Sequence, residues 1–365
     1  MKALFLGDFS PSDDNRHLFA AKDMNALFAD SAKLFEGNFL NFVNLECALT
    51  DHDKSIDKFG PPLKALPITA EVLRDLGVNL CGLSNNHIFD FGKKGATDTM
   101  ENLDKVGIPY TGFGMDLEDS RCNYTATDGN EMLTVLAVCE HEYSYALENR
   151  MGSRPYDEYD TMADIRAAKA NGGRVVVIYH GGKEHCRYPS PRLLKLCRAM
   201  ADNGADLVIC QHSHCIGCYE QYKGCHILYG QGNFHFERPS DTDLPESWNG
   251  CLSVHYDSSA HTVEFTPIVS NGIGGVRLAN AEEKKNIMRD FYARSAELAD
   301  GRWKQGWHAF CEFKRPVYEK VISRALVTDS TDKENHKFAH YLDCEAHTDV
   351  WRELYKTANH TNETD

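Results

Sequence analysis

Six short polar clusters, each directly after an apolar run, restrict the folds open to this chain more than any other feature. The apolar runs have the length and composition of buried β-strands. They are Ala3–Leu6, Phe39–Val43, Val78–Leu83, Val175–Tyr179, Leu207–Cys210 and His226–Tyr229. The clusters that follow them are Gly7-Asp8, Asn44-Leu45-Glu46, Asn85-Asn86-His87, His180-Gly181-Gly182, His212-Ser213-His214 and Gly232-Asn233. Because loops at the carboxyl ends of parallel strands converge on one crevice, we expect these polar side chains to meet in one site.

The order of strand and helix signals indicates one large α/β unit followed by a helical segment. Strand and helix patterns alternate through the first two thirds of the chain, and antiparallel strands such as Cys251–Tyr256 follow. We therefore predict a sandwich of two sheets flanked by helices over residues 1–275, a helical segment over 281–358 and a disordered tail over 359–365. The predicted C-terminal helices are Glu282–Leu298, Trp303–Ala325 and Tyr341–Thr357, with a polar connection at Asp329–Lys337.

The chain is acidic, with 39 basic and 54 acidic residues among 365 and a net charge of −15. Such a surface repels nucleic acid and anionic membranes, so we expect neither as a partner. The sequence has no apolar run near the roughly 20 residues that a membrane-spanning helix needs. Its 13 cysteines are odd in number, and many fall in predicted strands or helices. This usage indicates free thiols and a cytoplasmic protein.

The clusters contain the donor types that transition metals prefer, since imidazoles and carboxylates together suit Zn, Mn or Fe. Taken singly, each residue has an ordinary alternative: a helix cap for Asp8, a solvated carboxylate for Glu46 and a turn residue for His180. Their joint occurrence at successive strand ends favours a metal centre. The candidate ligands are Asp8, Glu46, Asn86, His180, His212 and His214.

A further pair lies beside these candidates. His87 follows Asn86 directly, and Asp90 lies three residues later. At this spacing the Asp90 carboxylate can accept a hydrogen bond from the imidazole, which would fix its tautomer and raise its basicity.

Six phrases around these residues stand in a characteristic order. They are Phe5-Leu6-Gly7-Asp8, Val43-Asn44-Leu45-Glu46, Ser84-Asn85-Asn86-His87 with Asp90-Phe91-Gly92, His180-Gly181-Gly182-Lys183-Glu184, Gln211-His212-Ser213-His214, and Tyr229-Gly230-Gln231-Gly232-Asn233-Phe234. In this order they resemble the calcineurin-like metallophosphoesterase superfamily, in particular its CapA-type branch of capsule-synthesis proteins linked to poly-γ-glutamate. The resemblance covers roughly residues 1–270 and implies a four-layer α/β/β/α sandwich, here with a C-terminal helical appendage.

The resemblance also implies a site with one or two divalent ions, which would be Mn, Fe or Zn. The ligands would be Asp8, Glu46 and His214 for one ion, and Glu46, Asn86, His180 and His212 for the other. His87, held by Asp90, would act in catalysis by stabilising charge on a transferred phosphoryl group or by protonating a leaving group.

Two departures from the pattern bear on the first ion. Ordinary phosphoesterases of this superfamily have a histidine where this chain has Ser10, and an aspartate where it has Glu46. The first position therefore lacks an imidazole. This leaves open a weaker first site or a single metal.

Further polar residues are candidates for holding a substrate. They are Asn44, Asn85, Lys183, Glu184 and Asn233. The alternatives are turn residues for the asparagines and a solvated charge pair for the Lys-Glu step. His141 and Glu142, which follow a predicted strand, are additional candidates for the crevice.

Two functions of different classes follow. The first is a metal-dependent hydrolase of capsule or poly-γ-glutamate synthesis, acting through a metal-activated water on a phosphoester or an amide. The alternative is a non-catalytic metal-binding scaffold for a surface polymer or a synthase partner. The substrate would be a small molecule or a polymer such as poly-γ-glutamate or a surface glycan. The aromatic residues Trp303, Trp307, Phe310 and Phe313 lie at helical spacing and predict a face that packs on the catalytic domain or in a homodimer.

Overall fold

The computed structural model describes residues 1–241, 243–245, 248 and 250–356. The tail predicted to be disordered, 359–365, lies outside the described residues. No helix among those described is long and apolar enough to cross a membrane.

The strands form two large sheets and two short pairs. In chain order they are β1 (Lys2–Phe9), β2 (Leu40–Leu45), β3 (Ala48–Leu49), β4 (Lys64–Ala65), β5 (Leu80–Gly82), β6 (Tyr110–Thr111), β7 (Phe113–Gly114), β8 (Tyr124–Asp128), β9 (Glu131–Cys139), β10 (Gly152–Ser153), β11 (Arg174–His180), β12 (Leu207–Gln211), β13 (Cys218–Tyr222), β14 (Cys225–Tyr229), β15 (Asn233–His235), β16 (Cys251–Asp257), β17 (Thr262–Ser270) and β18 (Val276–Leu278). The first sheet has eight strands in the order β18-β17-β16-β1-β2-β5-β6, with β15 also paired to β1. The second has six, in the order β13-β14-β12-β11-β9-β8.

Most of the helices cover the outer faces of the two sheets, and the helix that contains Phe291 packs on the core between them. They are α1 (Arg16–Ala21), α2 (Met24–Phe28), α3 (Thr69–Leu76), α4 (Gly92–Val106), α5 (Glu158–Ala170), α6 (Pro191–Asp202), α7 (Ala281–Asp300), α8 (Trp303–Ala325), α9 (Asp332–Asp343) and α10 (Glu345–Tyr355). The described residues also include the 3₁₀ helices Ala29–Phe35 and Asp119–Arg121.

Three buried cores separate four layers. Phe42 of the first sheet and Ile178 of the second lie in the core between the sheets. Leu73 of α3 and Leu103 of α4 pack on the outer face of the first sheet. Trp307 of α8 packs on the outer face of the second, together with side chains of α5, α6 and α10. The predicted α/β/β/α sandwich with C-terminal helices is therefore confirmed.

Parallel strands at the centre of each sheet deliver the polar clusters to one edge. β1, β2 and β5 run parallel in the first sheet, and β9, β11 and β12 run parallel in the second. Asp8 lies near the end of β1, and Glu46 comes directly after β2. His180 is the last residue of β11, and His212 is the first residue beyond β12. The alternation of buried strands with these short loops thus brings both sheets' clusters together.

The polar connection predicted at Asp329–Lys337 is wrong over most of its length, since α9 begins at Asp332. The Thr331 side chain accepts a hydrogen bond from the Glu334 N–H, and the Glu334 carboxylate accepts one from the Thr331 N–H. This reciprocal pair is a capping box, which satisfies backbone donors at a helix start. The charged residues of this stretch therefore begin a helix.

The single helix predicted at Tyr341–Thr357 is also wrong, because the chain turns between α9 and α10. Cys344 at the turn is extended, with φ −70° and ψ 128°. The buried carboxylate of Glu140, from the loop after β9, accepts a hydrogen bond from the Ala346 N–H at 3.1 Å. That contact satisfies one of the free N–H groups at the start of α10. It joins residues far apart in the chain, so the local sequence has no signal for it.

The aromatic face predicted on α8 is confirmed for Trp303 and Trp307, which are buried in the core on the second sheet. Phe313 lies off that face and is 75% exposed. Ten residues of helix rotate it about 80° away from Trp303. A homodimer contact through these helices stays a prediction.

Candidate metal centre

Two groups of ligand-type side chains share one carboxylate at the carboxyl-terminal edge of the sheets. One group is Asp8, Glu46 and His214, and the other is Glu46, His180 and His212. Within each group the ligand atoms lie within 4.8 Å of one another. Asn86 adjoins the second group, because its Oδ1 lies 3.0 Å from His180 Nε2. All these side chains are buried, so Glu46 stands between two enclosed binding positions.

The loop after β12 holds two imidazoles in a strained backbone conformation. The angle φ is 74° at His212 and 51° at His214. A non-glycine residue in this region costs on the order of 1–3 kcal/mol, and such strain is typical of functional sites. The His212 N–H donates to Asp8 Oδ2 at 3.0 Å, and His214 Nδ1 donates to Asn233 Oδ1 at 2.9 Å. These contacts hold the loop so that it supplies one imidazole to each group.

Glu46 is the most unusual residue of the centre. Its side chain is completely buried, yet neither carboxylate oxygen has a hydrogen-bond partner among the described residues. Burial raises its pKa well above the ordinary 4.5, and the charge of Glu142 raises it further. An ionised carboxylate is costly in such surroundings unless an opposite charge compensates it. A divalent cation on each side of Glu46 would supply that charge, so the residues present fit a metal ion.

Asp8 is a second buried carboxylate whose ionised form is costly. Burial raises its pKa to about 7, and the neighbouring charge of Glu46 adds to the rise. Asn44 Nδ2 donates to Asp8 Oδ1 at 2.7 Å, which favours the ionised form but does not outweigh burial. Burial thus shifts both carboxylates toward their protonated forms, and a bound metal would displace those protons.

The imidazoles are already in the form that binds metal. Burial lowers the pKa of His180 to about 4 and lowers that of His212 as well. The pKa of His214 is held well below its ordinary value for the same reason. Neutral imidazole is the ligand form of histidine. The protons that compete with metal therefore reside on the carboxylates.

Mn²⁺ affinity is expected to rise as the pH is raised from 5.5 to 7.5. The reason is that Asp8, with a pKa of about 7, must lose its proton before it can bind the ion. Below that pKa, the affinity therefore rises by up to about tenfold per pH unit for this one displaced proton. Calorimetric titration in buffers of different ionisation enthalpy measures both the affinity and the number of protons released. Constant affinity without proton release would contradict the carboxylate assignment.

Three asparagines predicted to hold a substrate bond to the ligands or to one another. Asn44 donates to Asp8, and Asn85 Nδ2 donates to Asn44 Oδ1 at 3.1 Å. Asn233 accepts from His214 and is itself buried. These bonds favour a role in positioning ligands, and direct substrate contact by the asparagines stays a prediction.

His87 and Asp90 form the expected pair, and a lysine completes it. His87 Nδ1 lies 2.6 Å from Asp90 Oδ2. Lys58 Nζ donates to Asp90 Oδ1 at 2.5 Å, with its side chain only 4% exposed. Burial lowers the pKa of His87, and the charge of Lys58 lowers it further. Lys58 lies in the polar loop between β3 and β4, which belong to neither large sheet, so the strand-end pattern contains no signal for it.

The remaining candidates divide between the centre and its surroundings. Glu142 Oε1 lies 3.4 Å from His212 Nε2, at the centre. His141 lies beside Glu345 of α10 instead, with its Nδ1 2.7 Å from Glu345 Oε1. Lys183 and Glu184 lie in the loop that follows His180, and Lys183 Nζ is 3.8 Å from Glu184 Oε2.

The sequence of residues 2–238 matches the family described as bacterial capsule synthesis protein PGA_cap. The chain belongs to this family. The match covers every residue of the two ligand groups, and it confirms the resemblance to CapA-type capsule-synthesis proteins.

Individual relatives agree with this assignment. The PGA biosynthesis protein CapA of Bacillus subtilis (strain 168) is 28% identical over 247 residues, which are 65% of this chain and 64% of that protein. A probable polyglutamine synthesis accessory protein of Mycobacterium tuberculosis (strain ATCC 25618 / H37Rv) is 29% identical over 204 residues, 52% of this chain and 54% of that protein. The chain thus spans less than two thirds of the length of either relative. A crystal structure of a Thermus thermophilus protein matches 72% of this chain and 97% of its own, with 8% identity and a TM-score of 0.38.

Proposed function

We propose that this PGA_cap family member is a metal-dependent hydrolase that acts in the synthesis of capsule polymer. The observation that carries the proposal is Glu46, whose two buried carboxylate oxygens lie between two ligand groups and have no hydrogen-bond partner among the described residues. The substrate class is a phosphoester or an amide of a small molecule or polymer, such as poly-γ-glutamate or a surface glycan. The name of the B. subtilis relative, a PGA biosynthesis protein, supports the polymer.

The ligand roles follow the two groups. Asp8, Glu46 and His214 would hold one ion, and Glu46, Asn86, His180 and His212 would hold the other. When bound, one or two ions of Mn, Fe or Zn would supply Lewis acidity toward the substrate and lower the pKa of water. The chain's own part is to hold three neutral imidazoles and two carboxylates together in a buried cluster.

His87 would protonate a leaving group or stabilise the negative charge that develops in the reaction. Asp90 accepts a hydrogen bond from His87 Nδ1, which leaves Nε2 as the nitrogen that exchanges a proton. Lys58 holds Asp90 in place and balances its charge. His87 belongs to neither ligand group, so its contribution is separable from metal binding.

The variant His87→Asn is expected to lower kcat by about 10²- to 10⁴-fold, the usual contribution of a general acid or base. Its metal content should equal that of the native protein, because asparagine replaces no ligand. Steady-state kinetics and elemental analysis of the same preparation measure the two effects, with the exposed His17→Asn as control. Unchanged kcat would remove His87 from the mechanism.

A metal-binding scaffold is the second candidate, and Ser10 favours it. Ser10 is completely buried, and its Oγ has no hydrogen-bond partner among the described residues. The first ion position therefore has one imidazole, His214, and lacks the second that ordinary phosphoesterases have. The name of the M. tuberculosis relative, a probable accessory protein, is also compatible with binding without turnover.

One experiment separates the two candidates. The full chain, purified with Mn²⁺, is assayed for metal content and for turnover of phosphomonoesters, phosphodiesters and γ-glutamyl peptides. We expect bound metal and turnover of at least one class, with loss of turnover and of the ion at the Asp8 position in Asp8→Ala. Bound metal with no turnover, together with tight binding of poly-γ-glutamate, would favour the scaffold. A native chain that binds no metal would contradict both.

A further inference from the structure

Glu142 contacts two ligands of the second ion position without belonging to either group. It follows β9 in the second sheet, and its side chain is 10% exposed. Its Oε1 lies 3.4 Å from His212 Nε2, and its Oε2 accepts a hydrogen bond from Asn86 Nδ2 at 3.1 Å. His212 comes from the second sheet and Asn86 from the first. One carboxylate therefore connects ligands supplied by both sheets.

The two ring nitrogens of His212 face different surroundings. Nδ1 lies 3.2 Å from His180 Nε2, on the side of the ligand group, and Nε2 faces Glu142. A carboxylate only accepts hydrogen bonds, so it favours the tautomer with the proton on Nε2. That tautomer leaves the Nδ1 lone pair directed toward the ion position. Such carboxylate–histidine pairs commonly fix metal ligands.

The amide of Asn86 is oriented by the same carboxylate. Its Oδ1 lies 3.0 Å from His180 Nε2, and its Nδ2 donates to Glu142. A rotated amide would place its oxygen against a carboxylate oxygen, which cannot donate. Glu142 therefore keeps the Asn86 oxygen, the only metal-binding atom of that side chain, directed toward the ligand group.

We infer that Glu142 is a positioning residue that fixes the His212 tautomer and the Asn86 amide orientation, and thereby builds the second ion position. The inference rests on the metal centre proposed above and not on hydrolysis. In this arrangement Glu142 Oε1 orients His212 and Glu142 Oε2 orients Asn86.

The variant Glu142→Gln tests this assignment because it keeps the size of the side chain and removes one acceptor. A glutamine has one acceptor oxygen and one donor NH₂, so it can serve only one of the two donors, His212 Nε2–H and Asn86 Nδ2–H. Glu142→Asp keeps both acceptors on a shorter stem. Glu148→Gln is the matched control, because Glu148 is exposed on the same loop.

Mn²⁺ binding to the full-length variants is measured by calorimetric titration, and visible absorption of the Co²⁺-loaded proteins reports ligand geometry. We expect Glu142→Gln to weaken binding by about 10- to 100-fold and to change the Co²⁺ spectrum. Glu142→Asp should recover part of both, and Glu148→Gln should match the native protein. Native affinity and spectrum in Glu142→Gln would overturn the inference. So would equal losses in the Gln and Asp variants. Absence of Mn²⁺ binding by the native chain would instead overturn the metal centre itself.

Discussion

The variant Glu46→Gln is expected to be more stable than the native chain without metal, and to gain nothing when Mn²⁺ is added. Burial raises the pKa of Glu46 well above 4.5, so its ionised form destabilises the folded chain. That cost is absent below pH 4.5 and grows by about 1.4 kcal/mol per pH unit until the raised pKa is passed. Glutamine carries no charge, and no hydrogen bond is lost with the carboxylate because neither oxygen has a partner among the described residues.

Thermal and urea unfolding at pH 4.5 and pH 8, with EDTA or with Mn²⁺, measures the effect. We expect similar stability of the two metal-free proteins at pH 4.5 and a higher free energy of unfolding for Glu46→Gln than for the native chain at pH 8. With Mn²⁺ at 100 times its Kd, the native chain should gain about 2.7 kcal/mol and the variant nothing. Glu148→Gln should behave as the native protein does. Equal Mn²⁺ stabilisation of native and variant chains would exclude Glu46 as the shared ligand.

The position of the centre could be predicted from the sequence because it depends on strand ends. Each buried strand is visible as an apolar run, and its following loop must lie at the carboxyl edge of the sheet. Asp8, Glu46, His180 and His212 were found in this way, and the structure brings them together. Their roles as ligands stay proposals.

Contacts between distant segments could not be predicted in the same way. Lys58 reaches Asp90 from a loop without strand or helix signals. His141 and Glu142 are adjacent after β9, and the sequence does not tell which one faces the ligands. The structure decides it, because Glu345 of α10 holds His141 away from them. The turn at Cys344 likewise depends on Glu140, whose side chain reaches α10 from the second sheet.

The C-terminal helices are joined to the second sheet by a buried network of charges. Arg192 of α6 donates to Glu140 Oε1 at 2.5 Å and to Asp349 Oδ2 of α10 at 2.9 Å. Glu140 also accepts from Tyr179, and Asp349 from Ser190. Both carboxylates are almost completely buried, and Arg192 bridges them, while the more exposed Arg352 lies 3.5 Å from Asp349 Oδ1. We therefore propose that residues 281–356 unfold together with the sandwich and not as a separate domain.

The variant Arg192→Ala is expected to destabilise the whole chain by about 3–5 kcal/mol, because it leaves buried carboxylates without their partner. Arg198→Ala is the matched control on the same helix. Arg198 makes a similar two-bond pair with Glu220, but its side chain is 33% exposed, so its loss should cost about 1 kcal/mol or less. Urea unfolding followed by tryptophan fluorescence and by circular dichroism should give one coincident transition for each protein, shifted strongly only in Arg192→Ala. Two separate transitions, with the loss confined to one of them, would show that the helical segment folds independently.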